Sequence, residues 1–255
     1  MPPLPQNLID IHCHCLPGLD DGPADLAGAL ALCRRFVAEG VGTVVATPHE
    51  LGRYEGSNAP ADVRRAVAFL REQLTAAGIA LEVLPGAEVR VAENLPALLE
   101  ADEVMTLADG RQWILLEMPE GAFLDLGPIL GRLAAAGVHA VLSHPERQAW
   151  NDAAIGRMLR WRRSLGLLVQ VTAGSLLGAF GPRAQSLGWR WLENGLVDVI
   201  ASDAHDCAHR PPLLAAAWEA VCGRAGEAVA RRTLCAVPAR LIRETPSPVP
   251  ALMRN

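Results

Sequence analysis

The chain has 255 residues, 51% of them hydrophobic, and a formal net charge of −5. That is enough apolar material for one large core, and the acidic balance leaves no electrostatic footprint for nucleic acid or an anionic membrane. All 23 basic residues are arginine, which excludes Schiff-base lysine chemistry and a P-loop lysine.

The first segment, "NLIDIH" (7–12), reads as a buried strand. The stretch 24–40 follows as a helix, with Leu26, Leu30, Cys33 and Val37 on one face and a glycine at its end. A strand over 41–49 leads to a helix over 60–78 that opens on Pro60, and a strand over 80–88 comes next. The stretch 91–110 predicts at most a short helix. Beyond it, strands over 111–117, 138–146, 165–174 and 195–205 are each followed in turn by helices over 125–137, 153–166, 182–195 and 211–224. The strands are short, rich in Val, Ile and Leu, and not strictly alternating, as in a parallel sheet covered on both faces. Repeated strand–helix units predict an α/β fold with a closed TIM-like barrel, an open doubly wound sheet being the competitor. No internal linker is visible, so 1–255 is expected to be a single domain, with 244–255 as a loose tail. No membrane-spanning run and no signal peptide are visible. With cysteines scattered at 13, 15, 33, 207, 222 and 235, a cytoplasmic protein with reduced thiols is the expectation.

Ionisable residues gather where the strands end. His12, His14 and Asp21 follow the first strand, His49 the second, Glu88 the third, Glu117 the fourth, His144 the fifth, and Asp203 and His205 the last. In a barrel these ends share one mouth. Nine such side chains together would be prohibitively costly without cations, so the pattern predicts a multinuclear metal site. Each also has a local alternative: Glu117 as an ion pair to arginine, Glu88 as a loop acid, "SDAH" (202–205) as a helix cap. Strand alternation sets His12 and His14 on one side and Cys13 and Cys15 on the other, where the cysteines pack as small hydrophobes. No paired Cys-x-x-Cys spacing supports a structural zinc site.

The motifs "DIHCH", "TPH", "GAE", "LLE", "SHPER", "TAGSL" and "SDAH", in this order, resemble the polymerase-and-histidinol-phosphatase superfamily. "DIHCHCLPGLDDGP" with "ATPH" and "HPER" is closer to one branch, the bacterial manganese-dependent protein-tyrosine phosphatases of capsule and exopolysaccharide loci. The resemblance spans Asp10 to about Glu244. It implies a distorted seven-stranded (β/α)7 barrel with three divalent metals, most plausibly Mn2+, with Fe, Zn or Mg as alternatives. By the same resemblance His12, His14, Glu88 and Asp203 would hold one metal. Glu88, Glu117 and His144 would hold a second, and Asp21, His49 and His205 a third. Arg147 and Arg210 match phosphate-binding positions. One departure is Glu50, where the family usually has a second histidine; an acid there is placed to alter substrate approach.

Such a site suits hydrolysis of a phosphate monoester, since bound metal lowers the pKa of water from about 15.7 toward 7. His205 and Asp206 are both candidate proton donors, and the sequence assigns the role to neither. The sequence argues against a cysteinyl-phosphate route, because none of the six cysteines has an arginine six residues later. The expected substrate is the phosphotyrosine tail of a bacterial tyrosine autokinase that controls capsule or exopolysaccharide synthesis. A small-molecule phosphatase acting on histidinol phosphate, and a catalytically silent module binding the kinase tail, are the alternatives.

Overall fold

Nine strands and ten α-helices account for the fold of the described residues, which in this computed structural model are 3–5, 7–119, 121, 124–148, 150 and 152–243. The expected loose tail, 244–255, lies outside them. The strands are β1 (Leu8–Cys13), β2 (Val41–Ala46), β3 (His49–Glu50), β4 (Glu82–Pro85), β5 (Glu88–Arg90), β6 (Trp113–Glu117), β7 (His139–Leu142), β8 (Leu168–Thr172) and β9 (Val199–Ala201). The helices that the sequence predicts are α1 (Leu26–Ala38), α2 (Pro60–Ala76), α4 (Gly127–Ala135), α5 (Asp152–Leu165), α7 (Gly181–Glu193) and α8 (Leu214–Ala225). The irregular join contributes only the short α3 (Leu95–Glu100), as expected, and one turn, α6 (Ala173–Leu176), follows β8. The end of the described chain is helical, which the sequence reading did not anticipate: α9 (Glu227–Arg231), a π-helical turn over Arg232–Ala236, and α10 (Val237–Arg243).

All ladder pairings between named strands are parallel, in the orders β1-β2-β4 and β3-β5-β6-β7-β8-β9. The expected strands over 41–49 and 80–88 are each broken in two. Pro48 has no N–H to give to a ladder, and Gly86 passes so close to its neighbour that a Cβ there would lie 2.6 Å from Cγ1 of Val45. First and last strands meet: Cys13 bridges Ala204 in parallel, His14 N donates to Ala204 O at 2.8 Å, and Asp203 N donates to His12 O at 2.8 Å. Asp10 ties the same seam. It is fully buried and accepts from Ser202 N at 3.0 Å and from the Ser202 hydroxyl. Burial pushes its carboxyl up to about 6 against those hydrogen bonds.

The apolar residues form two clusters. Ile9, Ile11, Val45, Leu115, Val141, Val199 and Ala201 pack with Leu241 of α10 in one that takes nothing from α1, α2, α4, α5, α7 or α8. This is the inner cluster, closed by α10 at the end away from the strand C-termini. The outer helices pack on the opposite strand faces, where Cys13, Cys15, Phe36, Leu70, Leu133 and Trp218 lie. No described helix is long and apolar enough to cross a membrane.

Candidate metal and active site

Following the inner face of each strand past its last residue leads to one place. Trp113 and Leu115 continue to Glu117, Val141 to Ser143, and Val199 and Ala201 to Asp203. In β1 the same logic is interrupted by a bulge. Asp10 pairs Val44 and Cys13 pairs Ala46, so three steps on β1 oppose two on β2. Ile9 and Ile11 face inward, and without the extra residue Cys13 would follow them. The bulge turns His12 and His14 inward instead and leaves Cys13 and Cys15 fully buried in the outer cluster. The expected division of histidines from cysteines is what the structure has. The cysteines among the described residues are all free thiols.

Glu88 is the centre. Its Oε1 accepts from Ser143 Oγ at 2.7 Å and lies 2.8 Å from His144 Nε2. Its Oε2 faces three imidazole nitrogens, His49 Nδ1 at 3.1 Å, His12 Nε2 at 3.3 Å and His14 Nε2 at 3.7 Å, yet is buried with no hydrogen-bond partner. A buried carboxylate oxygen set among imidazoles and without a hydrogen bond is the arrangement a cation completes. Asp203 Oδ1 lies 3.3 Å from both His12 Nε2 and His14 Nε2. Asp21 Oδ1 lies 3.4 Å from His49 Nε2 and 3.3 Å from His205 Nε2. Four sets have ligand atoms all within 4.8 Å of one another: His14, Asp21, His49 and His205; His12, Glu88 and His144; His12, His14 and Asp203; and His49, Glu88 and Glu117. All nine sequence-predicted ligands are thus brought together, but Glu117 and His144 approach Glu88 from different sides and share no set.

The ring orientations are fixed from behind. Gln170 Oε1 lies 3.0 Å from His12 Nδ1, and Asp20 Oδ2 lies 2.6 Å from His14 Nδ1. Each acceptor keeps the proton on Nδ1 and leaves the Nε2 lone pair for the site. Asp20 also accepts from His49 N and Gly22 N, and a Cβ on Gly22 would fall 2.4 Å from His14 O, so the turn "LDDGP" requires glycine there. His144 (φ 32°) and Asp203 (φ 52°) sit in the left-handed region, rare for such residues and typical of functional sites.

The electrostatics show what the cluster lacks. Burial, together with the charge of Glu88, raises Glu117 to about 7. Burial opposes charging His49, but the nearby carboxylates of Asp21, Glu88 and Glu117 outweigh that and raise it to about 11. A divalent cation beside these groups would displace their protons. His144, by burial and then by Arg147, is pushed down to about 4 and stays a neutral ligand. Mixed imidazole and carboxylate donors without thiolate suit borderline divalent ions, so the residues fit a metal cluster.

Four arginines surround the carboxylates from the cavity side. Arg147 and Arg210 both donate to Asp203 Oδ2, Arg210 at 2.6 Å. Arg90 reaches Glu117 Oε2 and Arg53 reaches Asp21 Oδ2, each at 3.0 Å. Arg90 and Arg53 were not singled out by the sequence reading, because their partners are distant in the chain and the motifs carry no trace of them. Gln170 was missed for the same reason, whereas Asp20 and Ser143 lie inside quoted motifs ("LDDGP" and "SHPER") but were given no role there. The cavity holds about 640 Å3 and is lined also by Tyr54, Gln148 and Phe180. Tyr54 stacks on His49 at 5.3 Å, and Arg147 lies 4.4 Å over the Phe180 ring.

Two readings need correction, and one local alternative falls. Glu50 does not face the substrate side: it is 2% exposed, and its Oε2 accepts from Met105 N at 2.9 Å in the interior. Asp206 does not line the cavity; its Oδ1 accepts from Ala208 N and His209 N and so holds the turn that carries Arg210. "SDAH" caps no helix, since α8 begins only at Leu214.

A family profile for capsular polysaccharide synthesis, CpsB/CapC, matches residues 8–243. The tyrosine-protein phosphatase YwqE of Bacillus subtilis (strain 168) is 36% identical over 219 residues, 80% of this chain and 79% of that one. Among solved structures, those of YwqE from Bacillus subtilis and CpsB from Streptococcus pneumoniae are described as unique metal-dependent tyrosine phosphatases. That match has a TM-score of 0.83 and 31% identity, and covers 92% of this chain and 94% of the other. A histidinol phosphate phosphatase from Lactococcus lactis shares the fold at a TM-score of 0.51 and 12% identity, over 78% of this chain and 86% of that one. With a profile match that runs from β1 to the end of α10, this chain belongs to the CpsB/CapC family of capsular polysaccharide synthesis proteins.

Proposed function

We propose that this protein is a metal-dependent phosphate monoester hydrolase acting on phosphotyrosine in a protein, with the tail of a bacterial tyrosine kinase of capsule or exopolysaccharide synthesis as its substrate. The observation that carries the reading is Glu88 Oε2, buried among three imidazole nitrogens without a hydrogen bond, on the floor of a cavity walled by arginines. The tyrosine phosphatase activity of its relatives supports the same reading.

In this reading three divalent ions, Mn2+ first among them, are held by His12, His14, Asp21, His49, Glu88, Glu117, His144, Asp203 and His205. When bound, such ions supply a nucleophile at neutral pH by acidifying water, and they offset phosphoryl charge. The chain's own groups do the rest. Arg147 and Arg210 turn their guanidinium forks from Asp203 to the phosphoryl oxygens. His205 keeps a proton on Nδ1, 3.1 Å from Asp203 O, and accepts at Nε2 from Arg210 at 2.8 Å, so it acts as a ligand-type nitrogen rather than as the acid. A phenolate leaves without a strong acid, its conjugate pKa being about 10.

The same reading takes the chain as one cytoplasmic domain. It also counts the nine strands as seven positions of a distorted barrel, taking β2 with β3 and β4 with β5 as one position each; the breaks at Pro48 and Gly86 support that count. The test is turnover of a phosphotyrosine peptide against histidinol phosphate, with and without added metal. Preference for the peptide, only with metal, is the expected result. Preference for histidinol phosphate would reassign the substrate. Binding of a kinase tail without turnover would make the protein a silent module.

A further inference from the structure

Phe180 is a half-buried phenylalanine at the mouth of a polar site, and nothing in the metal chemistry requires it. It lies in the short link between α6 and α7. Gly174 of α6 makes room for it: a Cβ at Gly174 would meet Phe180 Cε2 at 3.0 Å. The guanidinium of Arg147 sits 4.4 Å over the ring, and the same guanidinium reaches Asp203 with its Nη2. The other aromatic residue of the cavity among the described residues, Tyr54, is already engaged on both sides. His49 stacks on it at 5.3 Å, and Arg53 lies 4.8 Å over its ring. Among the described residues Phe180 has no ring stacked on it.

We propose that Phe180 is a specificity residue, the wall against which the aryl group of an aryl phosphate rests, so that the site selects aryl over alkyl phosphate monoesters. This rests on the phosphatase reading above and deepens it. If Arg147 grips a phosphoryl oxygen, the group one ester bond from phosphorus falls beside the ring that Arg147 already covers. An aryl group there stacks offset or edge-on and gains contact area, whereas a seryl or glyceryl chain gains little. Arg147 lies over the same ring but is anchored by the carboxylate of Asp203, so removing the ring leaves the phosphate grip in place.

The experiment compares wild type with Phe180→Ala and Phe180→Leu, metal-loaded, on a phosphotyrosine peptide and on the same peptide carrying phosphoserine. Binding of phenylphosphonate and methylphosphonate is measured alongside as a readout independent of turnover. The expected result is a fall of about tenfold in kcat/KM for phosphotyrosine, with phosphoserine turnover changed less than about twofold. Affinity for phenylphosphonate falls in step, and affinity for methylphosphonate does not. Phe180→Leu, which keeps apolar volume without a flat face, falls between and serves if the alanine variant unfolds. Equal losses on both peptides would assign Phe180 to holding Arg147 alone and overturn the proposal, as would an unchanged ratio in both variants. A wild-type protein that hydrolyses neither ester with metal present would instead overturn the phosphatase reading.

Discussion

Arg210 donates from Nη2 to Oδ2 of Asp203 at 2.6 Å, while Asp203 turns its other oxygen to His12 and His14 at 3.3 Å. One carboxylate thus links the basic wall of the cavity to the candidate metal ligands, and Arg147 shares the same oxygen.

The doubling makes a prediction about the arginines. Arg147→Ala or Arg210→Ala alone leaves one donor on Asp203, so metal content stays at the wild-type value. Turnover of phosphotyrosine peptide falls about ten- to a hundredfold for each, the worth of one charge-assisted contact. Lysine rescues poorly, because it offers no planar fork. The double variant leaves Asp203 Oδ2 unpaired and loses metal as well. Metal stoichiometry beside steady-state kinetics checks this, and metal loss in both single variants would reduce the arginines to ligand support.

Metal removal has two consequences. Chelator abolishes turnover, and Mn2+ restores it better than Zn2+ or Mg2+, because the donors are imidazole and carboxylate without thiolate. The melting temperature also falls on chelation, since ions that bind only the folded chain stabilise it by mass action. Glu117, raised to about 7 by burial and by Glu88, is the group that gains most from a cation beside it. Full turnover by metal-free protein would end the mechanism.

The two sides of β1 separate by mutation. Cys13→Ser and Cys15→Ser keep substantial turnover, because both thiols lie in the outer cluster. His12→Ala and His14→Ala lose nearly all of it. Asp20→Ala falls between, at about ten- to a hundredfold weaker metal binding, because it supports the ligands from behind, through His14 Nδ1 and His49 N. Metal affinity and turnover of folded variants check the order, and a folded Cys13→Ser as inactive as His12→Ala would sink it.

The ligands were legible in the sequence for a physical reason. Costly residues such as Glu117 and Asp203 recur at one position of a repeating unit, the strand end, and the repeat is readable from apolar segments alone. What escaped depends on contacts between distant segments. The bulge between Asp10 and Cys13 has no residue signature, yet it aims His12 inward; local alternation gave the right answer for 12–15 but not the reason. The breaks at Pro48 and Gly86 divide strands that read as continuous. The helical end was obscured by Pro238, which is accommodated at the second position of α10 after a π-helical turn. Glu50 was misread because the family's usual second histidine at that position was taken to place it at the cavity, although neighbouring strand residues face opposite ways.

Glu50 supplies the last prediction. It is buried, with Oε2 bonded to Met105 N and Oε1 without a partner. Burial raises its carboxyl from 4.5 to about 8. The folded chain therefore holds this proton over a range where the unfolded chain has released it. Glu50 favours the fold most at pH below 4.5, and that contribution is lost as pH rises toward 8. Each tenfold change in proton affinity between folded and unfolded chain is worth about 1.4 kcal/mol, enough to move a melting temperature measurably. Glu50→Gln keeps the shape and removes the titration. Its melting temperature relative to wild type should rise steadily between pH 5 and about pH 8 and then level off. Its peptide turnover should match wild type at pH 7, because the side chain does not line the cavity. Thermal melts of both proteins across this range check the slope. A pH-independent difference would show that Glu50 titrates as an ordinary carboxylate, and a large loss of turnover would return it to the substrate side.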